Sequence, residues 1–127
     1  MSADPAEPLL PLKDMRVLVV EDEAIVSFLL EDTLLQLGCQ VILAGRLAEA
    51  LAQLDTGYPD FAVLDVNLGG EMVYPVAERL RTAGVPFLFT TGYGASGIAP
   101  EWKDARIVQK PFAAEQLTAA VEALMRG

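Results

Sequence analysis

The chain has 127 residues, a net charge of −9 and 53% hydrophobic residues, which fits one folded domain and excludes a disordered tail. The acidic balance argues against non-specific binding to nucleic acid or to an anionic membrane, because both require clustered Lys and Arg. Histidine is absent, which excludes an imidazole base and a His–Cys zinc site. A single cysteine cannot form an internal disulfide, so a reducing, cytoplasmic location is the simplest expectation.

Residues 1–13 contain three prolines and predict a loose N-terminal arm, and residues 14–127 predict a single domain. Short apolar strands then alternate with helices, which predicts βαβ units and a parallel sheet covered on both faces. The predicted strands are 16–20, 41–44, 61–66, 85–90 and 106–108. The predicted helices are 24–37, 47–54, 72–83 and 113–125, with a short further helix near 100–104.

Polar residues follow the strands at the carboxyl edge of the predicted sheet, where ligands bind in open parallel sheets. The first strand delivers two acids, the third an Asp and an Asn, the fourth two hydroxyls and the fifth an ammonium group. In chain order these residues are Glu21, Asp22, Asp65, Asn67, Thr90, Thr91 and Lys110. The sequence therefore predicts one polar site built from four strand ends.

The carboxylates at this edge repel one another, and a divalent cation would offset the repulsion. Without histidine the ligands must be oxygen atoms, which favours Mg²⁺, with Mn²⁺ also possible. Asp65 is the candidate nucleophile, because a carboxylate can attack a phosphoryl group and become an aspartyl phosphate. Lys110 would neutralise phosphoryl charge and Thr91 would donate a hydrogen bond to it. The simpler alternative is that the acids after the first strand only cap the following helix.

Four motifs carry a resemblance to a known family: Val19-Val20-Glu21-Asp22, Leu64-Asp65-Val66-Asn67, Thr90-Thr91-Gly92 and Lys110-Pro111-Phe112. In residue type, spacing and order they resemble the CheY-like receiver domain of bacterial response regulators. The resemblance implies an α/β fold of the flavodoxin-like, doubly wound type. It predicts a five-stranded parallel sheet in the order 2-1-3-4-5 with five flanking helices, of which the fourth is short.

The resemblance also implies a function in a two-component phosphorelay. Asp65 would accept a phosphoryl group from a histidine kinase, with the HWE type as one candidate, or from a histidine phosphotransfer protein. Asp22 and Asp65 would bind Mg²⁺ directly, the Asn67 backbone carbonyl would complete the protein ligands, and Glu21 would act through water. Thr91 and Lys110 would contact the phosphoryl group. The protein would catalyse only its own phosphorylation and dephosphorylation, and signal by protein contact or act as a phosphate sink or relay.

The sequence departs from the common receiver pattern. Glu21 replaces an Asp, Gly69-Gly70 replaces a proline-containing loop, and Ile107 replaces the aromatic switch residue. The segment after the fourth strand is short and rich in Gly, and the stretch Phe89–Gly92 resembles the Phe-Ala-Thr-Gly signature of a receiver subgroup. Members of that subgroup are stand-alone receivers or receiver parts of HWE-type kinases, so a domain excised from a hybrid kinase is one alternative.

Two other functions stand beside the main one. A pseudo-receiver would bind partners without phosphorylation. The presence of the acidic pair, Asp65, Thr91 and Lys110 argues against it, and the missing switch aromatic leaves it open. A phosphatase of the haloacid dehalogenase type needs Asp-x-Asp, but Asn67 cannot donate and regain the required proton. The docking faces are predicted on the first helix and on the loop after Thr91. Ile98 and Trp102 would be exposed there, unless Trp102 covers the core.

Overall fold

The computed structural model describes residues 12–93 and 97–127. In chain order the elements are β1 (Arg16–Val20), α1 (Ala24–Gln36), β2 (Gln40–Ala44), α2 (Leu47–Thr56), β3 (Phe61–Asp65), β4 (Asn67–Leu68), β5 (Glu71–Met72), α3 (Tyr74–Thr82), β6 (Phe87–Thr91), β7 (Arg106–Gln109) and α4 (Ala114–Arg126). Five strands form one parallel sheet in the order β2-β1-β3-β6-β7, and β4 pairs with β5 as a small antiparallel hairpin. The predicted flavodoxin-like fold and strand order are confirmed.

The central strands explain why their sequences are continuously apolar. Successive residues of a strand point to opposite faces, so Val17 and Val19 enter one core while Leu18 and Val20 enter the other. The first core lies beneath α1 and α4, and the second lies beneath α2 and α3. A strand with helices on both faces has no side left for water, which is why its polar residues collect beyond its carboxyl end.

Glycines end two helices as predicted. Gly38 follows α1 with φ 92° and Gly84 follows α3 with φ 75°. Glycine adopts this left-handed backbone conformation without the strain that a residue with a Cβ atom would meet. The predicted start of the third helix at residue 72 was two residues early. Gly69 and Gly70, with φ 64° and 104°, close the β4–β5 hairpin, and this hairpin takes residues 71 and 72 as strand.

The segment before β7 differs from the prediction of a fourth α-helix. Within the described residues it forms only a turn of 3-10 helix, Pro100–Trp102, so four α-helices rather than five flank the sheet. Ile98 and Trp102 are buried, which corrects the expectation that they belong to an exposed docking face. The alternative, that Trp102 covers the core, is confirmed. A helix this short exposes too few positions for a separate face, so its apolar side chains turn inward.

The predicted N-terminal arm, residues 1–13, lies outside the described residues except for its last two. Of these, Leu12 is buried in the core beneath α1 and α4. Among the described helices, none has the length and apolar content required to cross a membrane.

Candidate functional site

Three carboxylates meet at the carboxyl edge of the sheet. Glu21 and Asp22 follow β1 directly and Asp65 is the last residue of β3, and one carboxylate oxygen from each lies within 4.8 Å of the others. Glu21 and Asp65 are buried, with 3% and 6% exposure, whereas Asp22 is exposed. The helix-capping alternative is not supported, because Glu23 is the N-cap residue of α1 and no side chain caps it. The acids are gathered at one point, as the strand ends predicted.

Lys110 is the positive charge at the centre of this cluster. Its ammonium nitrogen lies 2.9 Å from Glu21 Oε1, 3.3 Å from Asp65 Oδ2 and 3.3 Å from Glu23 Oε1. The Lys110 backbone N–H also donates to the Thr91 carbonyl at 2.8 Å, which fixes the residue beyond the end of β7. One ammonium group thus forms ion pairs with three carboxylates. Sequence reasoning did not assign Glu23 to the site, although it is the third acid of a continuous run.

The electrostatic balance of the cluster is visible in two perturbed groups. Burial, together with the negative charge of Glu21, raises the pKa of Asp65 to about 7, and Lys110 offsets this only in part. Burial by itself lowers the pKa of Lys110, but the hydrogen bond and charge of Glu21 and the charge of Asp65 outweigh it and leave that pKa raised. The single ammonium group of Lys110 therefore does not outweigh burial and the charge of Glu21, and the pKa of Asp65 stays above its ordinary range.

The β4–β5 hairpin forms one wall of the site. The Gly70 N–H donates to Asn67 Oδ1 at 2.7 Å, so the asparagine side chain closes the turn. A Cβ atom built on Gly69 would lie 3.6 Å from Asp22 Oδ2, which places the turn beside the acid pair. A cavity of about 450 Å³ opens between the hairpin and the strand ends. Its lining consists of Asp22, Glu23, Asp65, Asn67, Gly69, Gly70, Gly92, Tyr93 and Lys110.

Thr91 stands beside this cavity rather than in its lining. It is buried, and its hydroxyl oxygen accepts a hydrogen bond from the Tyr93 N–H at 3.1 Å. A Cβ atom built on Gly97 would lie 2.7 Å from Thr91 Oγ1 and 2.9 Å from Tyr93 Cβ, so only glycine fits at that position as the loop stands. Of the predicted residues, Glu21 and Asp65 contact Lys110, and Asp22 has a carboxylate oxygen within 4.8 Å of both acids. Asn67 lines the cavity, and Thr91 lies against Gly97.

Beyond Thr91 the chain is tied to α3 by aromatic contacts. The Ala99 N–H donates to Tyr74 Oη at 2.8 Å, and the Trp102 ring stacks on the Tyr74 ring with centroids 6.0 Å apart. The Arg81 guanidinium lies 4.1 Å above the Trp102 ring. Ile107, at the position of the missing switch aromatic, packs against the same core as Trp102. The aromatic rings on this side of the sheet therefore come from α3, the 3-10 turn and the strand β6.

The donor set fits a hard divalent cation. Mg²⁺ prefers oxygen ligands and is typically held by one or two carboxylates together with water. Glu21, Asp22 and Asp65 supply three carboxylates whose oxygen atoms lie within 4.8 Å of one another, and the described residues bring no His or Cys to the cluster. The negative charge of Glu21, which after burial is the next cause of the raised pKa of Asp65, also favours a cation there.

A family model for the response regulator receiver domain matches residues 17–122. The chain belongs to this family. Receiver domains act in two-component signalling, generally as non-enzymatic modules that work with a histidine kinase or phosphotransfer partner, and they bind Mg²⁺ at an acidic pocket. The matched range covers every predicted site residue.

Similarity to individual proteins agrees with the family. "Probable transcriptional regulator ycf27" of Pyropia yezoensis is 33% identical over 87% of this chain and 47% of its own length. "Two-component response regulator PhoP" of Pseudomonas aeruginosa is 34% identical over 88% of this chain and 52% of its own length. The chain thus spans about half the length of these curated relatives.

Two solved structures of SdrG are also similar. The solution structure of SdrG from Sphingomonas melonis Fr1 has a TM-score of 0.78 and 38% identity, covering 88% of this receiver and 97% of that chain. The BeF3-activated conformation of SdrG from Pseudomonas melonis Fr1 has a TM-score of 0.74 and 37% identity, covering 87% of this receiver and 95% of that chain.

Proposed function

We propose that this receiver accepts a phosphoryl group on Asp65 in a Mg²⁺-dependent reaction and passes the signal on by protein contact. The observation that carries the proposal is the position of Asp65. It is a buried carboxylate at a strand end that faces an open cavity, with two further acids and the Lys110 ammonium group around it. We also propose that residues 14–127 form a single receiver domain; Leu12, which the sequence assigned to the arm, is buried in the core of that domain.

In the proposed reaction an oxygen of Asp65 attacks phosphorus, and the bond from phosphorus to the donor breaks with its electron pair leaving on the donor. Lys110, now 3.3 Å from Asp65 Oδ2, would turn to a phosphoryl oxygen and neutralise part of its charge. The Thr91 hydroxyl would donate to another phosphoryl oxygen after its cover by the loop at Gly97 moves.

The metal ligands follow from the same cluster. Asp22 and Asp65 would bind Mg²⁺ directly, Glu21 would act through water, and the Asn67 backbone carbonyl would complete the set. When bound, the cation supplies positive charge to the phosphoryl oxygens. The similar protein SdrG has a BeF3-activated conformation. By analogy, this supports the proposal that the acidic site of this chain accepts a phosphoryl group.

The proposed partner for phosphotransfer docks on α1. Ile25 and Phe28 are 85% and 69% exposed, and an apolar cavity of about 420 Å³ lies between this helix and the loop after Lys110. A phosphohistidine presented from this face would enter beside Lys110, which borders both cavities. The partner would be a histidine kinase, with the HWE type as a candidate, or a histidine phosphotransfer protein.

The test of the acceptor is intact-protein mass after incubation with acetyl phosphate and Mg²⁺. The wild type should gain one phosphoryl group and Asp65→Asn none, because the amide is nearly isosteric but is not a nucleophile of this kind. Asp104→Asn, an exposed position, is the matched control and should label normally. Labelled Asp65→Asn would identify a different acceptor, and a folded wild type that is labelled neither by acetyl phosphate nor by a kinase would be a pseudo-receiver.

The test of the metal is thermal melting with and without millimolar Mg²⁺. Cation binding to the folded state should raise the melting temperature of the wild type by linkage and leave Asp22→Ala nearly unchanged. An equal rise in both proteins would place the cation elsewhere.

The docking face can be tested separately from the chemistry. Ile25→Glu should slow transfer from a phosphorylated histidine kinase that labels the wild type, while labelling by acetyl phosphate stays unchanged. Leu35→Glu places the same charge at an exposed apolar position of α1 outside the cavity, and should leave both reactions intact. Equal effects of the two substitutions on transfer from the kinase would argue against this face.

A further inference from the structure

Thr90 carries a buried hydroxyl that nothing in the site accounts for. The residue is 0% exposed, and its Oγ1 atom has no hydrogen-bond partner among the described residues. Most buried hydroxyls in proteins are paired, because an unpaired one loses its hydrogen bonds to water without compensation. An apolar residue would satisfy the fold better at this position, so the hydroxyl requires another explanation.

The strand register places Thr90 directly beside Asp65. The two residues are paired across β3 and β6, whose backbones run about 4.8 Å apart in a parallel sheet. They also face the same side, since Val63 and Leu88, two residues earlier on each strand, pack in the same core. The backbone confirms the proximity, because the Val66 N–H donates to the Thr90 carbonyl at 3.1 Å.

Thr90 and Thr91 therefore have separate roles. Alternation along β6 sends their side chains to opposite faces, and the Thr91 hydroxyl already accepts a hydrogen bond from the Tyr93 N–H. In the Phe-Ala-Thr-Gly signature that this stretch resembles, an alanine stands at the place of Thr90. An alanine side chain cannot donate a hydrogen bond, so Thr90 provides a donor beside Asp65 where the signature has none.

We propose that Thr90 is a positioning residue whose hydroxyl donates a hydrogen bond to the carboxyl group of Asp65 as the phosphoryl group is lost. The inference rests on the proposed function, in which Asp65 is the acceptor. Rotation about the Cα–Cβ bond of Thr90, between staggered positions, redirects the hydroxyl without moving the strand. Because Thr90 Oγ1 has no competing partner in the described part of the chain, this rotation of the side chain breaks no existing hydrogen bond.

The step that the hydroxyl assists is hydrolysis of the aspartyl phosphate. A water oxygen attacks phosphorus, the bond between phosphorus and the Asp65 oxygen breaks, and its electron pair returns to Asp65 as a carboxylate. The proton released by the water passes to solvent. Negative charge therefore grows on the carboxyl group in the transition state, where a neighbouring hydroxyl donor stabilises it. Removal of the donor should lengthen the life of the phosphorylated form.

The experiment compares two variants without the hydroxyl, Thr90→Val and Thr90→Ala, with Thr90→Ser, which keeps it. Each protein is labelled with acetyl phosphate and Mg²⁺, the donor is removed by desalting, and the phosphorylated fraction is followed by intact mass. Both hydroxyl-free variants should lose the phosphoryl group about tenfold more slowly than the wild type, equivalent to about 1.4 kcal/mol. Thr90→Ser should stay within about twofold of the wild type.

Melting curves separate this role from a structural one. Thr90→Val is nearly isosteric and removes an unpaired polar atom, so its melting temperature should equal or exceed that of the wild type. Slower loss from a protein that is no less stable supports the inference. Loss at the wild-type rate in both hydroxyl-free variants, or equal slowing in Thr90→Ser, overturns it. Failure of the proposed function looks different, because the wild type itself would then gain no phosphoryl group on Asp65.

Discussion

Replacing Asp65 by asparagine measures how much folding stability the carboxylate cluster costs the protein. The pKa of Asp65 is raised from 3.8 to about 7 in the folded state, first by burial and then by the charge of Glu21. A tenfold change in proton affinity corresponds to about 1.4 kcal/mol, so the ionised carboxylate costs at most about 4 kcal/mol above pH 7. Asparagine removes this cost, but it also removes one partner of Lys110. We therefore expect a net gain of about 2 kcal/mol at pH 8.

The sign of the pH dependence follows from the raised pKa. The folded protein holds the Asp65 proton more tightly than the unfolded chain, so the penalty is absent below pH 3.8, grows between pH 3.8 and about 7, and is complete above it. The penalty falls from about 4 kcal/mol at pH 8 to about 2 kcal/mol at pH 5, so the advantage of Asp65→Asn should fall to about zero at pH 5.

Urea unfolding followed by circular dichroism, with a chelator present, measures the free energy of unfolding of both proteins at each pH. Asp104→Asn, at an exposed position, is the control and should change the free energy of unfolding little. Added Mg²⁺ should stabilise the wild type more than Asp65→Asn, and so reduce the difference in free energy of unfolding between the two proteins. An advantage of the same size at pH 5 and pH 8, or a less stable variant at pH 8, would refute the reasoning.

Two further predictions concern the segment that follows β6. Gly97→Ala should lower the free energy of unfolding by about 1–2 kcal/mol, because its Cβ would lie 2.7 Å from Thr91 Oγ1. Gly92→Ala meets nothing within 4 Å and should change the urea midpoint little, so equal losses would argue against the close contact. Trp102→Leu should cost about 2–3 kcal/mol, because the ring stacked on Tyr74 is lost from the core. An unchanged urea midpoint for Trp102→Leu would mean that this contact adds little.

The sheet was the easiest part of the fold to predict. Arg16–Val20 is a strand with the predicted bounds, since four consecutive apolar residues follow Arg16 and end at a run of acids. The strand order came from the receiver resemblance, and the meeting of Glu21, Asp22, Asp65 and Lys110 follows from parallel strands that end at one edge.

The parts of the fold that the sequence did not settle had a weak local signal or depend on contacts between distant segments. The β4–β5 hairpin had a local signal, since paired glycines favour a two-residue turn, but its strands are too short to show a period. The burial of Trp102 was one of two alternatives that the sequence left open, because it depends on rings supplied by Tyr74, Phe87 and Phe89. The orphaned hydroxyl of Thr90 becomes visible only when the packing around β6 is known.

The single tryptophan has a practical consequence for following this receiver in solution. Trp102 is the only strong fluorophore in the chain, and it sits 11 residues beyond Thr91, stacked on Tyr74 beneath the Arg81 guanidinium. Cations and neighbouring rings alter both the intensity and the wavelength of indole emission. A change at the strand ends that moves Gly97 and disturbs the hydrogen bond between Ala99 and Tyr74 would alter the surroundings of the Trp102 ring. It would be detected as a change in the wavelength or intensity of tryptophan fluorescence, without any attached label.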